Sequence, residues 1–154
     1  MADNKPCTIG FDLGGTKMMA AVVDEKYNIL AADRRKTKPE QGTETGLERM
    51  QKCMDDAIAA SGISKSDIKG IGIGLPGLLD LKEGRVVRLT NLGWEDIPIR
   101  KHFEKIYEAP VTIENDVNTG VYGEYRCGAA KGHEDIVGIF PGTGIGGRNR
   151  PPGL

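Results

Sequence analysis

No charge of one sign dominates this 154-residue sequence: charged residues make up 28% of it and the formal net charge is −1. That balance excludes the basic footprint of a nucleic-acid binder and the polybasic patch of a membrane-surface protein. Long hydrophobic runs are missing as well. The apolar stretches are short and broken by charge, so none could span a bilayer, and the opening MADNKPC does not begin a signal peptide. Cysteine is sparse: Cys7, Cys53 and Cys127 are far apart and form no CxxC pair, which encodes neither a zinc knuckle nor a disulfide framework. His102, on a charged helix face, and His133, in a loop, have no second ligand at metal spacing and read as solvated. A reducing, cytoplasmic setting fits this usage, with neither nucleic acid nor membrane as a partner. The length suffices for one ordinary domain with its own core.

Glycine, in contrast, is abundant, 22 residues, and it is clustered. In TIGFDLGGTK, Ile9, Phe11 and Leu13 alternate with smaller or polar residues, as in a half-buried strand. GGTK then turns the chain, Met18 to Val23 returns, and DEKYN turns it again into ILAADRRKT. The sequence therefore opens on a three-stranded antiparallel meander. Leu47, Met50, Met54, Ala57 and Ile58 recur at helical spacing, and Gly62 supplies a stop. SKSD offers a short capping signal, and IKGIGIGL reads as a buried strand ending at Pro76-Gly77. GRVVRLTNL is a further strand, IPIRKHFEKIYEA a helix with Pro98 near its first turn, and PVTIEND a strand ending in a polar triplet. VNTGVYGEYRCGAAKG reads as helical, and DIVGIFPGTGIGG as a strand running into a glycine loop. Alternating strands and helices behind the meander make the class α/β. Met18, Met19, Met50 and Met54 read as core filler, and Trp94 as a packing anchor. The last seven residues, RNRPPGL, carry no strand pattern, and proline cannot donate to a central ladder.

Gly-Gly after a carboxylate has a physical use. Glycine turns let backbone N–H groups converge on an anion without Cβ atoms in the way. DLGGTK lacks the GxxxxGK[ST] spacing of a P-loop, and it joins two strands rather than the strand and helix of a dinucleotide fingerprint. As a hairpin it could hold phosphate oxygens on its amides and hydroxyl, with Asp12 holding Mg²⁺ through water. It could equally be an ordinary hairpin turn. GTGIGG (Gly142 to Gly147) repeats the theme after another apolar strand. END places Glu114, Asn115 and Asp116 at a strand's C-terminal end, a usual place for ligand chemistry in α/β sheets. Asp116 can serve as a base and Asn115 can bond sugar hydroxyls, although either residue also caps helices readily.

DLGGTK, GIGLPGLLD, NLGW, ENDVNTGVYGEYRCGAAKG and GTGIGG, in this order and at these separations, resemble the ROK family of sugar kinases and sugar-responsive repressors, the bacterial glucokinases in particular. The resemblance runs from Cys7 to Gly147. It implies the actin-like, ribonuclease-H-like ATPase fold, with one whole lobe at residues 1–117. The second lobe would begin at 118–147, and 148–154 would be a tail foreign to the family. It implies ATP and Mg²⁺ as cofactors, a hexose substrate with glucose first, and phosphate contacts from Asp12, Gly14, Gly15, Thr16, Lys17, Gly142, Thr143, Gly144, Gly146 and Gly147. Asp116 becomes the general base, Asn115 a sugar ligand, and Gly77 and Asn91 contributors to the sugar side. A homodimer stays open.

Full ROK kinases are about twice this length, and the EIGH-type sugar motif and Cys-rich zinc motif that follow GTGIGG in the family do not occur here. The expectation is therefore a poor kinase in isolation. Two alternatives accompany it: a non-catalytic sugar-binding remnant, and a ROK regulator lacking its DNA-binding domain, for which the segment before DLGGT is too short.

Overall fold

The computed structural model describes residues 6–141 and 145–150, with side chains described for residues 6–140. A five-stranded sheet of order β3-β2-β1-β4-β8 forms its centre. The opening meander is as expected: β1 (Cys7–Leu13), β2 (Lys17–Asp24) and β3 (Ile29–Lys36) pair antiparallel. Helix α1 (Gly42–Ser61) carries the chain across, so that β4 (Ile68–Leu75) lies parallel to β1. β8 (Val111–Asn115) then adds in parallel beyond β4.

The period-two alternation of these strands produces two unlike faces. Cys7, Ile9, Phe11 and Leu13 point to one side with Ile71, Ile73, Leu75, Val111 and Ile113, all buried in the core with Met50, Met54 and Ala57 of α1. Helix α2 (Ile99–Tyr107) closes the same side with Ile99, Phe103 and Tyr107. The opposite face is built from small and polar residues, among them Gly10, Asp12, Gly72, Gly74, Thr112 and Glu114, which line one cavity. Met19 belongs to that face as well. It lines the cavity and is only half-buried, whereas Met18, Met50 and Met54 are core residues as expected.

Between β4 and α2 the chain makes a small antiparallel sheet of β5 (Leu78–Asp80), β6 (Arg85–Leu89) and β7 (Trp94–Ile97). Only β6 is legible in the sequence; β5 and β7 are three and four residues long, too short for a periodic signal. Trp94 is 1% exposed, the packing anchor expected of it, and its indole lies against Gly46 of α1, where any Cβ would overlap the ring. Gly62 ends α1 with φ 72°, the left-handed cap conformation. Ser64 N–H donates to Asp67 Oδ2 at 3.3 Å, heading a short 3-10 turn. His102 is less solvated than its helix face suggested: it is half-buried, edge-on to Phe103, and burial lowers its pKa. His133 is exposed.

Helix α3 (Asp116–Cys127) leaves the top of β8 and lies against β4 and β8. Its far end is tied to the β2–β3 turn. The Arg126 guanidinium stands over the rings of Tyr27 and Tyr122, at 5.6 and 5.9 Å, and donates to Tyr27 Oη at 2.6 Å. β9 (Ile136–Pro141) and β10 (Ile145–Arg150) then form an antiparallel hairpin beside α3. Two expectations need correction here. Arg148, Asn149 and Arg150 pair with Gly138, Val137 and Ile136, so the start of the tail is strand. A hairpin edge asks only for backbone donors at those positions, and the prolines that forbid pairing come afterwards. Gly146 and Gly147 likewise stand within β10 rather than in a loop.

Candidate active site

The hairpin after β1 is held closed by one bond across it: Gly14 N–H donates to Lys17 O at 2.9 Å. A Cβ on Gly14 would lie 2.8 Å from that same oxygen, so the turn admits only glycine there. The amides of Gly15 and Thr16 donate to no group of the protein among the described residues, and Lys17 enters no ion pair among them. Free amides, a hydroxyl and an ammonium at one turn form a set of donors suited to phosphate oxygens. Thr37 supports the turn from below. It is the buried polar residue of the described chain, 2% exposed; its Oγ1 donates to Gly14 O at 2.7 Å and its N–H to Thr16 O at 2.9 Å.

Asp12 precedes the hairpin on the glycine-lined face, at a cavity of 570 Å³ shared with Glu114 and Thr119. Partial desolvation raises its pKa first, the charge of Asp116 raises it further, and Arg34 opposes both. Arg34 is reached across the sheet through the register Asp12–Met19–Arg34. No donor within the protein bonds the Asp12 carboxylate among the described residues. A cation beside it would relieve the repulsion from Asp116, so this donor set fits a hydrated divalent ion.

Asn115 and Asp116 stand at the junction of β8 and α3. Asn115 Oδ1 accepts from Val117 N–H at 3.0 Å and Asn118 N–H at 3.4 Å, the N-cap geometry weighed against a ligand role. The cap occupies its oxygen and leaves Nδ2 as a donor, so capping and ligand binding are compatible. Asp116 is the first residue of the helix, and its Oδ1 accepts from Val117 N–H at 2.9 Å. The second carboxyl oxygen has no partner among the described residues.

Thr37 escaped the sequence reading, and Glu114, placed there with Asn115 and Asp116 at the strand end, was given no role of its own. Glu114 Oε1 accepts from its neighbour Asn115 N–H at 2.8 Å and from Asn118 Nδ2 at 2.7 Å, locking the start of α3. The alternation Val111-in, Thr112-out, Ile113-in, Glu114-out could have placed it on the cavity face. Thr37 belongs to no motif and carried no signal.

Gly77 has φ 87° and turns the chain from β4 into β5; a Cβ there would meet Arg88 O at 2.5 Å and Leu89 Cδ2 at 3.0 Å. The same segment continues to Asn91, whose Cβ is 3.8 Å from the position of a Cβ on Gly15. Residues 88–91 therefore run from the Pro76-Gly77 turn to the Gly-Gly hairpin. Gly77 lines a separate cavity of 480 Å³ with Leu78, Thr90 and Glu95, so it and Asp12 do not share a wall. Gly142, Thr143 and Gly144 lie outside the described residues.

Comparison with known proteins bears on this arrangement. The model of the ROK family matches residues 8–148. A glucokinase of Streptomyces coelicolor is 35% identical over 140 residues, covering 91% of this chain and 42% of that protein. The crystal structure of a ROK family glucokinase from Streptomyces griseus, in complex with glucose and AMPPNP, superposes with a TM-score of 0.84 at 36% identity, over 95% of this chain and 45% of that one. The xylose repressor of Bacillus subtilis is 46% identical over 77 residues, which are 50% of this chain and 20% of the repressor. The chain thus spans less than half the length of each of these three relatives. The fold shared with these kinases is the actin-like ATPase fold.

Proposed function

The chain belongs to the ROK family, and on that premise we propose that its site serves the ATP-dependent phosphorylation of a hexose, glucose first, with N-acetylhexosamines and fructose next. The observation that carries this reading is that β1, which leads into the DLGGT hairpin, and β8, which leads into Asn115 and Asp116, flank β4 in parallel, so that both carboxylates stand at the same end of the sheet, near enough for Asp116 to raise the pKa of Asp12. The Gly15 and Thr16 amides, the Thr16 hydroxyl and the Lys17 ammonium hold phosphate oxygens, and Gly142, Thr143, Gly144, Gly146 and Gly147 are the second phosphate segment. Asp12 holds Mg²⁺ through water, and the ion would neutralise charge on those oxygens. Asn115 Nδ2 donates to a sugar hydroxyl and thereby orients it. Asp116 accepts the proton of the attacking hydroxyl through the carboxyl oxygen left free by the helix. Gly77 and Asn91 shape the sugar side. In this reading residues 1–117 form one lobe, 118–147 open the second, and the kinase acts in the cytoplasm.

A second reading, a sugar-binding protein without turnover or a ROK regulator, is favoured by the xylose repressor match. A coupled assay of ADP release with glucose and Mg·ATP, run beside calorimetry of glucose binding, separates the two. The kinase reading expects turnover that drops about 10²–10⁴-fold in Asp116→Asn, with glucose still bound. Glucose binding without turnover supports the second reading. A chain that binds neither glucose nor Mg·ATP contradicts both.

A further inference from the structure

Thr37 lies outside every motif of the sequence, follows β3 directly, and is nevertheless the buried polar side chain of the described residues. Burial of a hydroxyl is unfavourable unless its hydrogen bond is made. Here both of its donors are spent on one short turn: Oγ1 on Gly14 O at 2.7 Å and N–H on Thr16 O at 2.9 Å. The Gly14 carbonyl and the Gly15 N–H belong to one trans peptide unit, so holding that carbonyl on Thr37 turns the Gly15 N–H away from it; neither the Gly15 nor the Thr16 amide donates to a group among the described residues. A two-glycine turn has wide conformational freedom of its own, so it needs an external brace to keep free amides converged. The neighbouring carbonyl of Lys36 is itself anchored by the Arg49 guanidinium, which fixes the brace to α1.

We propose that Thr37 is a positioning residue that pre-organises the Gly14–Thr16 hairpin for binding a polyphosphate. The proposal rests on the phosphate reading of that hairpin. Thr37 touches no phosphate and acts by fixing the turn, so a ligand does not have to order it on binding.

The test uses the 154-residue chain and two substitutions, Thr37→Val, which keeps the shape and removes the hydroxyl donor, and Thr37→Ser, which restores the donor. Binding of inorganic tripolyphosphate with Mg²⁺ is measured by calorimetry. Amide hydrogen exchange is followed at Gly14 and Lys17, with Ile71 and Ile73 of β4 as the control for folding. The expected result is that Thr37→Val binds tripolyphosphate about tenfold more weakly and exchanges faster at Gly14, while β4 keeps its protection. Thr37→Ser should return within about twofold of the wild type; the tenfold loss corresponds to about 1.4 kcal/mol. Equal binding by wild type and Thr37→Val overturns the inference and leaves the phosphate reading standing. A wild-type chain that binds no tripolyphosphate overturns the phosphate reading, and this inference with it. Should Thr37→Val lose protection throughout β4, the comparison of Thr37→Ser with the wild type decides: a serine chain that is folded and still tenfold weak contradicts the hydroxyl's role, and full recovery supports it.

Discussion

Gly14 and Gly15 are adjacent and chemically identical, yet alanine should act oppositely at the two positions. On Gly14 a methyl group would be 2.8 Å from Lys17 O, the oxygen that accepts the hydrogen bond closing the turn. That is well inside the roughly 3.5–4.0 Å of a favourable carbon contact, and its partner is backbone that cannot swing aside. The turn must open, losing the 2.9 Å bond and the geometry braced by Thr37. Overpacking of this kind costs about 1–3 kcal/mol. A methyl on Gly15 finds Asn91 Cβ at 3.8 Å, an ordinary contact, and no positive φ stands against it. There the reduced freedom of the unfolded chain contributes about 0.4–1 kcal/mol in favour of alanine. Urea unfolding reads the difference. With a slope of about 2 kcal/mol per M, a loss of about 2 kcal/mol moves the Gly14→Ala midpoint down by about 1 M, while Gly15→Ala stays level or rises. Tripolyphosphate binding should fall at least tenfold in Gly14→Ala. Equal midpoints for the two variants, or a Gly14→Ala chain that binds as well as wild type, would refute the geometry of the hairpin.

Other consequences follow from single contacts. Gly46→Ala should destabilise the chain by about 1–3 kcal/mol through overlap with the buried Trp94 ring, although alanine ordinarily favours a helix interior by about 1 kcal/mol; Trp94→Phe should relieve part of the penalty in a double-mutant unfolding cycle. Asp12 has a raised pKa in the folded chain, so its contribution to stability is lost as pH rises from the unfolded carboxylate range through the folded value. Asp12→Asn should therefore unfold at higher urea than wild type at neutral pH, lie closer to it at low pH, and bind Mg²⁺-polyphosphate poorly. The Cys53 thiol is buried, donates to Asp33 O at 3.4 Å and has its pKa pushed up to about 12, chiefly by desolvation. A disulfide reagent at pH 8 should thus label exposed Cys127 in the native chain and reach Cys53 only after denaturation.

The fold was most legible where pattern runs long. The alternation in Cys7–Leu13 and the glycine-interrupted apolar run of Ile68–Leu75 mark strands to within a residue, because one face of each must be buried. The small sheet was obscure, since its outer strands, three and four residues long, are too short to show a repeated alternation and owe their form to tertiary pairing with β6. Arg148–Arg150 illustrate the limit of composition: a hairpin edge is satisfied by backbone bonds alone, so polar residues can be strand there. At the site, the strand-end positions of Asp12 and Asp116 were readable from the apolar runs that precede them, whereas their roles were not, because a carboxylate at a strand end also serves to cap a helix. Thr37 was not, because a single hydroxyl acquires its role only when β3 returns it beneath a turn more than twenty residues earlier in the chain.

The central claim is that one set of residues faces phosphate and a neighbouring set faces sugar. Its most direct test is a nuclear magnetic resonance titration of the isotopically labelled chain, first with Mg·ATP and then with glucose. The account predicts that Mg·ATP shifts the amides of Gly14, Gly15, Thr16 and Lys17, and that glucose shifts Asn115, Asp116 and the Asn115 side-chain amide. Saturating ligands that leave all of these resonances in place, or that move resonances only on the α1 and α2 side of the sheet, would contradict it.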